Sequence, residues 1–241
     1  MSSGHDQLQA DAHDHLLLHF ARNGAYGPDG NELLVLERGS GPYVFDTRGR
    51  RYLDGLSSLF CAQLGYSYGE EMSSAIASQL TTLAFNTNWG TAHPAAIELA
   101  SALAERAPDG IEHVFFTNGG SESVETAWKL VRQFHVFNGQ PERTKAVSRT
   151  IAYHGVTLGA LALTGVPAMK EPFGRPAIDR IEVPNTNAFR STSDDLCGDL
   201  LAEYERRIVE AGPETVAMLI AEPVQNAGGC LVPPDGYWPG L

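Results

Sequence analysis

The chain has 241 residues, of which 43% are hydrophobic and 19% charged, and its formal net charge is -12. That length can bury a sizeable core in one large domain or two small ones. The acidic balance argues against a nucleic-acid or anionic-membrane partner, since both require a basic surface. Cys61, Cys197 and Cys230 are widely spaced and odd in number, so they form neither a disulfide framework nor a zinc spacing. A reducing compartment follows. Met1 to Gln9 is polar without the order of a signal peptide, and no apolar run approaches a membrane span. The sequence therefore reads as cytoplasmic.

Residues 1–14 read as a flexible arm. His13, Asp14, His15 and His19 could suggest a metal site, but a short amphipathic segment in which Leu16, Leu17 and Phe20 pack is the plainer reading. Tyr43–Thr47 and Arg51–Asp54 alternate around a turn at Gly49 and predict a β-hairpin. Leu56–Gly65 is apolar and rich in small residues. Met72, Ile76 and Leu80 predict a helix over Glu70–Leu83, and Pro94–Arg106 predicts another, with Pro at its start and Pro108 beyond its end.

Val114–Thr117 reads as a short strand, Asn118–Ser121 as a turn, and a helix is expected from about Glu122. Val124, Trp128, Val131 and His135 give that helix one stripe, widened by Phe134. The first amides of a helix lack internal partners and its dipole favours negative charge, so strand, glycine turn and helix together suit a phosphate. Glycine lets the backbone approach it closely. The turn is not a Walker loop, since no Gly-Lys-Ser/Thr follows. It is not a nucleophile elbow, because Ser123 stands where that motif has Gly, which leaves a Ser121 hydrolase a poor reading. Val124 also rules out a capping box, so the Ser121 hydroxyl either caps the helix alone or faces a ligand. From these residues alone a plain helix start reads equally well.

Lys145–Thr150 and Val216–Ala221 read as buried strands, and Leu196–Ala211 as an amphipathic helix stopped by Gly212-Pro213. Strands alternating with helices predict an α/β fold with a mainly parallel sheet. In such sheets ligands gather beyond the carboxyl ends of the strands. Three ends are visible: Thr117 before the glycine turn, Thr150 before Tyr153-His154-Gly155, and Ala221 before Glu222. Each residue has a bland alternative: Tyr153 as a core aromatic, His154 as a turn residue, Glu222 as a strand end. Their coincidence with the glycine turn is what suggests a site.

Four stretches carry a resemblance: Tyr43–Gly55 (YVFDTRGRRYLDG), Phe116–Ala127 (FTNGGSESVETA), Tyr153-His154-Gly155, and Ala221–Gly229 (AEPVQNAGG). In this order and spacing the chain resembles the N-terminal half of a class III aminotransferase, a fold-type-I enzyme dependent on pyridoxal 5'-phosphate, from about Leu16 to Leu241. The resemblance implies an incomplete three-layer α/β/α large domain preceded by an N-terminal segment of the small domain. In residue terms these are an arm at 1–14, small-domain residues at 15–55 and the first part of the large cofactor-binding domain at 56–241.

It further implies that Gly119, Gly120 and Ser121 hold the cofactor phosphate and that Tyr153 stacks on its ring. Glu222 would lie near the ring edge, with His154 a weaker ligand. Phe60 and Trp89 would line the substrate pocket, where a core Phe is an equal reading for Phe60. The family moves an amino group from a donor such as an amine or ω-amino acid to a keto acid, and works as a homodimer. Its Schiff-base lysine and ring-pairing aspartate lie beyond the position matching Leu241. The lysines present, Lys129, Lys145 and Lys170, do not match the catalytic context. The expectation is a truncated or split chain, inactive by itself. The alternatives are a non-catalytic fragment that needs a partner chain, or another reaction of the same cofactor, such as decarboxylation, racemisation or an aminomutase shift.

Overall fold

The computed structural model describes residues 4–22, 24–27 and 29–241. Two compact units divide at Ala102 and Leu103. In the first, helix α1 (His5–His15) occupies most of the stretch expected to be a flexible arm, of which residues 1–3 lie outside the described residues. Its eight polar side chains among eleven residues leave it no buried position, and polar contacts dock it instead. Gln9 donates to the Leu33 carbonyl at 2.7 Å and accepts from the Leu33 N–H at 3.0 Å. Leu16, Leu17 and Phe20 are exposed, so the packing expected of them is absent, and no cluster able to hold a metal occurs among the described residues.

Strands β1 (Leu36–Ser40), β2 (Tyr43–Asp46) and β3 (Arg51–Leu53) form an antiparallel meander, with Tyr43 opposite Leu53 and Phe45 opposite Arg51. The turn at Gly49, at φ 78°, is closed by one carboxylate. Asp46 Oδ1 accepts from the N–H groups of Arg48 (3.0 Å) and Arg50 (2.9 Å), and Oδ2 accepts from Arg50 Nε (2.7 Å) and Tyr52 Oη (2.9 Å). Desolvation pushes this carboxyl upward, but those hydrogen bonds outweigh it and hold its pKa at about 2. A left-handed turn, α2 (Ser57–Phe60), follows with four non-glycine residues at positive φ. Helix α3 (Gly69–Thr82) comes next, with Met72, Ile76 and Leu80 exposed. Helix α4 (Pro94–Ala104) follows.

The second unit carries the parallel sheet. Helix α5 (Gly120–Phe137) leads to β4 (Lys145–Arg149), the short helix α6 (Leu158–Leu163), β5 (Asp179–Val183), α7 (Leu196–Ala211), β6 (Val216–Leu219) and α8 (Tyr237–Gly240). β4 lies in the middle, parallel to both neighbours, in the order β5-β4-β6. Its side chains alternate between two cores, as period-2 geometry requires. Val147 joins Ile181, Val183, Leu200, Tyr204 and Tyr237 beneath α7. Ala146 joins Ala162, Leu163 and Ile178, against which Val124 and Trp128 of α5 pack. Helices thus cover both faces of the sheet, which is the α/β/α layering expected from alternating strands and helices. α7 starts where the Asp195 side chain accepts from the Gly198 N–H at 2.9 Å, and ends at Gly212, at φ 84°.

Further local expectations differ from the structure. Val114–Thr117 is not a strand: no ladder partner lies beside it among the described residues, and an extended apolar run needs one to become a strand. α5 starts at Gly120 rather than near Glu122, and its Phe134 faces solvent instead of widening the packed stripe.

The Asp46 contacts have a measurable pH signature. Because the folded pKa lies below the ordinary carboxylate value, their contribution to stability is complete above pH about 4 and decays as pH falls toward 2. An Asp46→Asn chain sets an amide N–H₂ against the donors of Arg50 and Tyr52. Its hairpin amides are less protected from exchange at neutral pH, and their protection, taken relative to the intrinsic exchange rate at each pH, no longer falls between pH 4 and 2 as it does in the unsubstituted chain.

Candidate functional site

β4 and β6 run parallel, so their carboxyl ends open at the same edge of the sheet. The chain leaves β4 through Thr150 and a strained Ile151, a β-branched residue at φ 52°. A bond from the Ile151 N–H to the Gly165 carbonyl (2.9 Å) and one from the Gly165 N–H to the Ala152 carbonyl (2.7 Å) fix that turn. The loop Tyr153–Thr157 then passes the start of α5. Leaving β6, the chain reaches Glu222 and a turn anchored by the buried Gln225. Gln225 Nε2 donates to the Thr150 carbonyl at 2.6 Å, which ties this turn to the end of β4.

Glu222 is the hinge between the two ends. Its Oε1 accepts from the Tyr153 N–H at 3.1 Å, and its Oε2 from the Asn226 N–H at 3.0 Å. Its own carbonyl accepts from Arg149 Nη2. Tyr153 itself stays 41% exposed, with its ring not buried in the core. The next residue, His154, is buried, and its N–H donates to Thr164 Oγ1 at 2.9 Å. Burial, and after it the charges of Arg149 and Arg180, lowers the His154 pKa from 6.5 to about 4, so the ring is neutral at pH 7.

The glycine turn is open. Gly119 is extended, Gly120 begins α5, and a Cβ added to either would meet nothing within 4 Å. The first N–H groups of α5 have no helical partners, and among the described residues no hydrogen bond takes up the N–H of Gly120 or Ser121. Ser121 does not cap the helix. Its Oγ accepts from the Val156 N–H at 3.0 Å, which leaves the hydroxyl hydrogen to donate elsewhere. One turn further on, Glu125 Oε1 accepts from Thr157 Oγ1 (2.7 Å) and from the Gly159 N–H (2.9 Å). Gly155, at φ 126°, lies so close to α5 that an added Cβ would stand 2.5 Å from Ser121 Oγ and 3.1 Å from Ser121 Cα. The open turn, the free amides and a hydroxyl with a spare proton fit a phosphate group.

The structure thus joins Ser121, Tyr153, His154 and Glu222 through their loops, next to Gly119 and Gly120. Phe60 and Trp89 belong to the first unit, where they are 43% and 92% exposed. Sequence reasoning missed Arg149, Gln225, Thr164 and Glu125. Only Glu125 left a signal, its i,i+4 spacing from Ser121 on a predicted helix. Among the lysines, Lys145 Nζ donates to the Ala211 carbonyl at 2.6 Å and Lys129 is exposed. Lys170 lines a small cavity with Leu158, Leu161 and Phe173, where desolvation and then Arg180 lower its pKa.

Comparison with known proteins supports the same architecture. The family model for aminotransferase class III matches residues 26–241. The chain belongs to the class III aminotransferases. It is 49% identical over 231 residues to a probable aminotransferase of Mycobacterium tuberculosis, covering 92% of this chain and 48% of that protein. It is 40% identical over 210 residues to the putrescine–pyruvate aminotransferase of Pseudomonas aeruginosa, covering 85% of this chain and 46% of that one. Among solved structures, the omega transaminase from Pseudomonas jessenii in complex with PMP superposes with a TM-score of 0.91 at 33% identity, over 97% of this chain and 52% of that one. This class III chain spans about half the length of the relatives it matches, and its second unit is the α/β/α layering of fold type I. No helix among the described residues is long and apolar enough to cross a membrane.

His154 gives the site a pH test. Its folded pKa lies below its unfolded value, so the unfolded chain binds the extra proton, and stability falls as pH drops from about 6.5 towards 4. In thermal melts, the loss of melting temperature between pH 7 and pH 5 is smaller for His154→Gln than for the unsubstituted chain.

Proposed function

We propose that this chain supplies the phosphate-binding and ring-stacking part of a pyridoxal 5'-phosphate site, in a protein whose complete form moves an amino group from an amine or ω-amino acid to a keto acid. The observation that carries the reading is the hydrogen-bonded circuit from the open glycine turn through Ser121 to the Tyr153 loop and on to Glu222. The free amides of Gly120 and Ser121, next to Gly119, and the Ser121 hydroxyl hold the phosphate. Tyr153 offers its exposed face to the flat ring. Glu222 fixes the Tyr153 backbone beside the ring edge, and the neutral His154 seals the floor of the loop. When bound, the cofactor supplies an electron sink that labilises the bonds at the donor's amine-bearing carbon.

Membership of class III and the putrescine and pyruvate named for one relative support the donor and acceptor classes. Phe60 and Trp89 are assigned to the substrate pocket. Residues 15–55 are assigned to the small domain and 56–241 to the large one, with 1–14 preceding both. The complete protein is a cytoplasmic homodimer in this reading.

Without a lysine in the catalytic context, this chain by itself binds the cofactor and does not transaminate. Borohydride reduction of the purified chain with pyridoxal 5'-phosphate, followed by intact mass and peptide mapping, tests this. The expected result is reversible spectral binding with no stoichiometric covalent adduct. A single stoichiometric adduct on Lys129, Lys145 or Lys170 overturns it; desolvation and then Arg180 lower the pKa of Lys170. Ser121→Ala is expected to weaken binding of the phosphate-bearing cofactor by about tenfold, since one hydrogen bond to a charged group is lost.

A further inference from the structure

Four acceptor atoms fix the loop that carries Tyr153, and two of them lie on one face of α5. Ser121 and Glu125 are four residues apart and so one helical turn apart on the same side. The first takes the Val156 N–H at 3.0 Å. The second takes the Thr157 hydroxyl at 2.7 Å and the Gly159 N–H at 2.9 Å, both on the single atom Oε1. On the other side, Glu222 Oε1 takes the Tyr153 N–H and Thr164 Oγ1 takes the His154 N–H. Tyr153 therefore sits between anchors just beyond the ends of β6 and α6 and anchors on α5. Ser121 is already assigned to the phosphate, so the anchor on α5 that has no other task is Glu125. The backbone is shaped to admit it: a Cβ added to Gly159 would stand 2.5 Å from Glu125 Oε2.

We infer that Glu125 is a positioning residue that holds the Tyr153 loop at the glycine turn, so that the phosphate anchor and the stacking ring keep one fixed separation. The inference rests on the phosphate and ring assignments proposed above. Glu125 touches no ligand in this scheme and acts through Thr157 and Gly159. Both of its bonds end on one oxygen, so what it supplies is a fixed acceptor and not a charge. An amide oxygen at the same place accepts the same two bonds, whereas a methyl group accepts neither.

The test is the affinity of the 241-residue chain for pyridoxamine 5'-phosphate, which needs no lysine, measured by calorimetry for the unsubstituted chain, Glu125→Gln and Glu125→Ala. Glu125→Ala is expected to bind about tenfold more weakly and Glu125→Gln within about twofold of the unsubstituted chain. Thr157→Val removes only one of the two bonds and falls between them. Equal affinity for Glu125→Ala and the unsubstituted chain overturns the inference, and so does a Glu125→Gln chain as weak as Glu125→Ala. If the unsubstituted chain does not bind pyridoxamine 5'-phosphate, the cofactor-site reading fails instead. Hydrogen exchange at the Val156 and Gly159 amides then decides the role of Glu125. Faster exchange in Glu125→Ala, but not in Glu125→Gln, upholds it as the loop anchor, and unchanged exchange in both overturns it.

Discussion

The parallel pairing of β4 with its two neighbours is the constraint on which the second unit depends. It sends the ends of β4 and β6 out at one edge, where two loops that are far apart in sequence meet. It also divides the side chains of β4 between two cores, so that α5 and α6 cover one face while α7 covers the other. Once α5 is held on the sheet by Val124 and Trp128, its N-terminal turn has a fixed place beside the loop that leaves β4. The site is thus a consequence of how the helices pack on the strands.

What ties these parts together at close range is polar. Glu222, Ser121, Thr164 and Glu125 each accept a hydrogen bond from the segment Tyr153–Gly159. Backbone N–H groups in a loop at a sheet edge must find acceptors, and side chains provide them where no neighbouring strand can. A segment anchored at so many points keeps its aromatic ring partly exposed without letting it drift. The glycines serve the same end. Gly155 takes a conformation closed to other residues and lets the loop touch Ser121, while Gly119 and Gly120 leave the space in front of α5 empty.

Much of this was legible in the sequence. The hairpin, the helices α3, α4 and α7 and the strands β4 and β6 follow from periodicity and from the glycine and proline residues at their ends. α7 matches its expected bounds because Asp195 and Gly212 give it unambiguous stops. Val114–Thr117 misled because an apolar run predicts burial or pairing without saying what will pair with it. The amphipathic stripe of α3 is equally clear in sequence, yet the described residues do not bury it. The polar character of α1 suggested an arm, whereas docking through Gln9 onto the Leu33 backbone holds it as a helix.

The sequence by itself determined the alternation of strands and helices, the glycine turn that opens α5, and the resemblance that the family match later established. Those features depend on local residue chemistry and on short-range spacing, which a linear reading contains. Only the tertiary structure decided that the Ser121 hydroxyl meets Val156 rather than capping its own helix, that Glu222 grips the backbone of Tyr153, and that Glu125 reaches across to Thr157 and Gly159. These contacts join residues 32 to 69 positions apart. Their existence follows from the register of a parallel sheet and from the packing of α5 against it, and no local pattern encodes either.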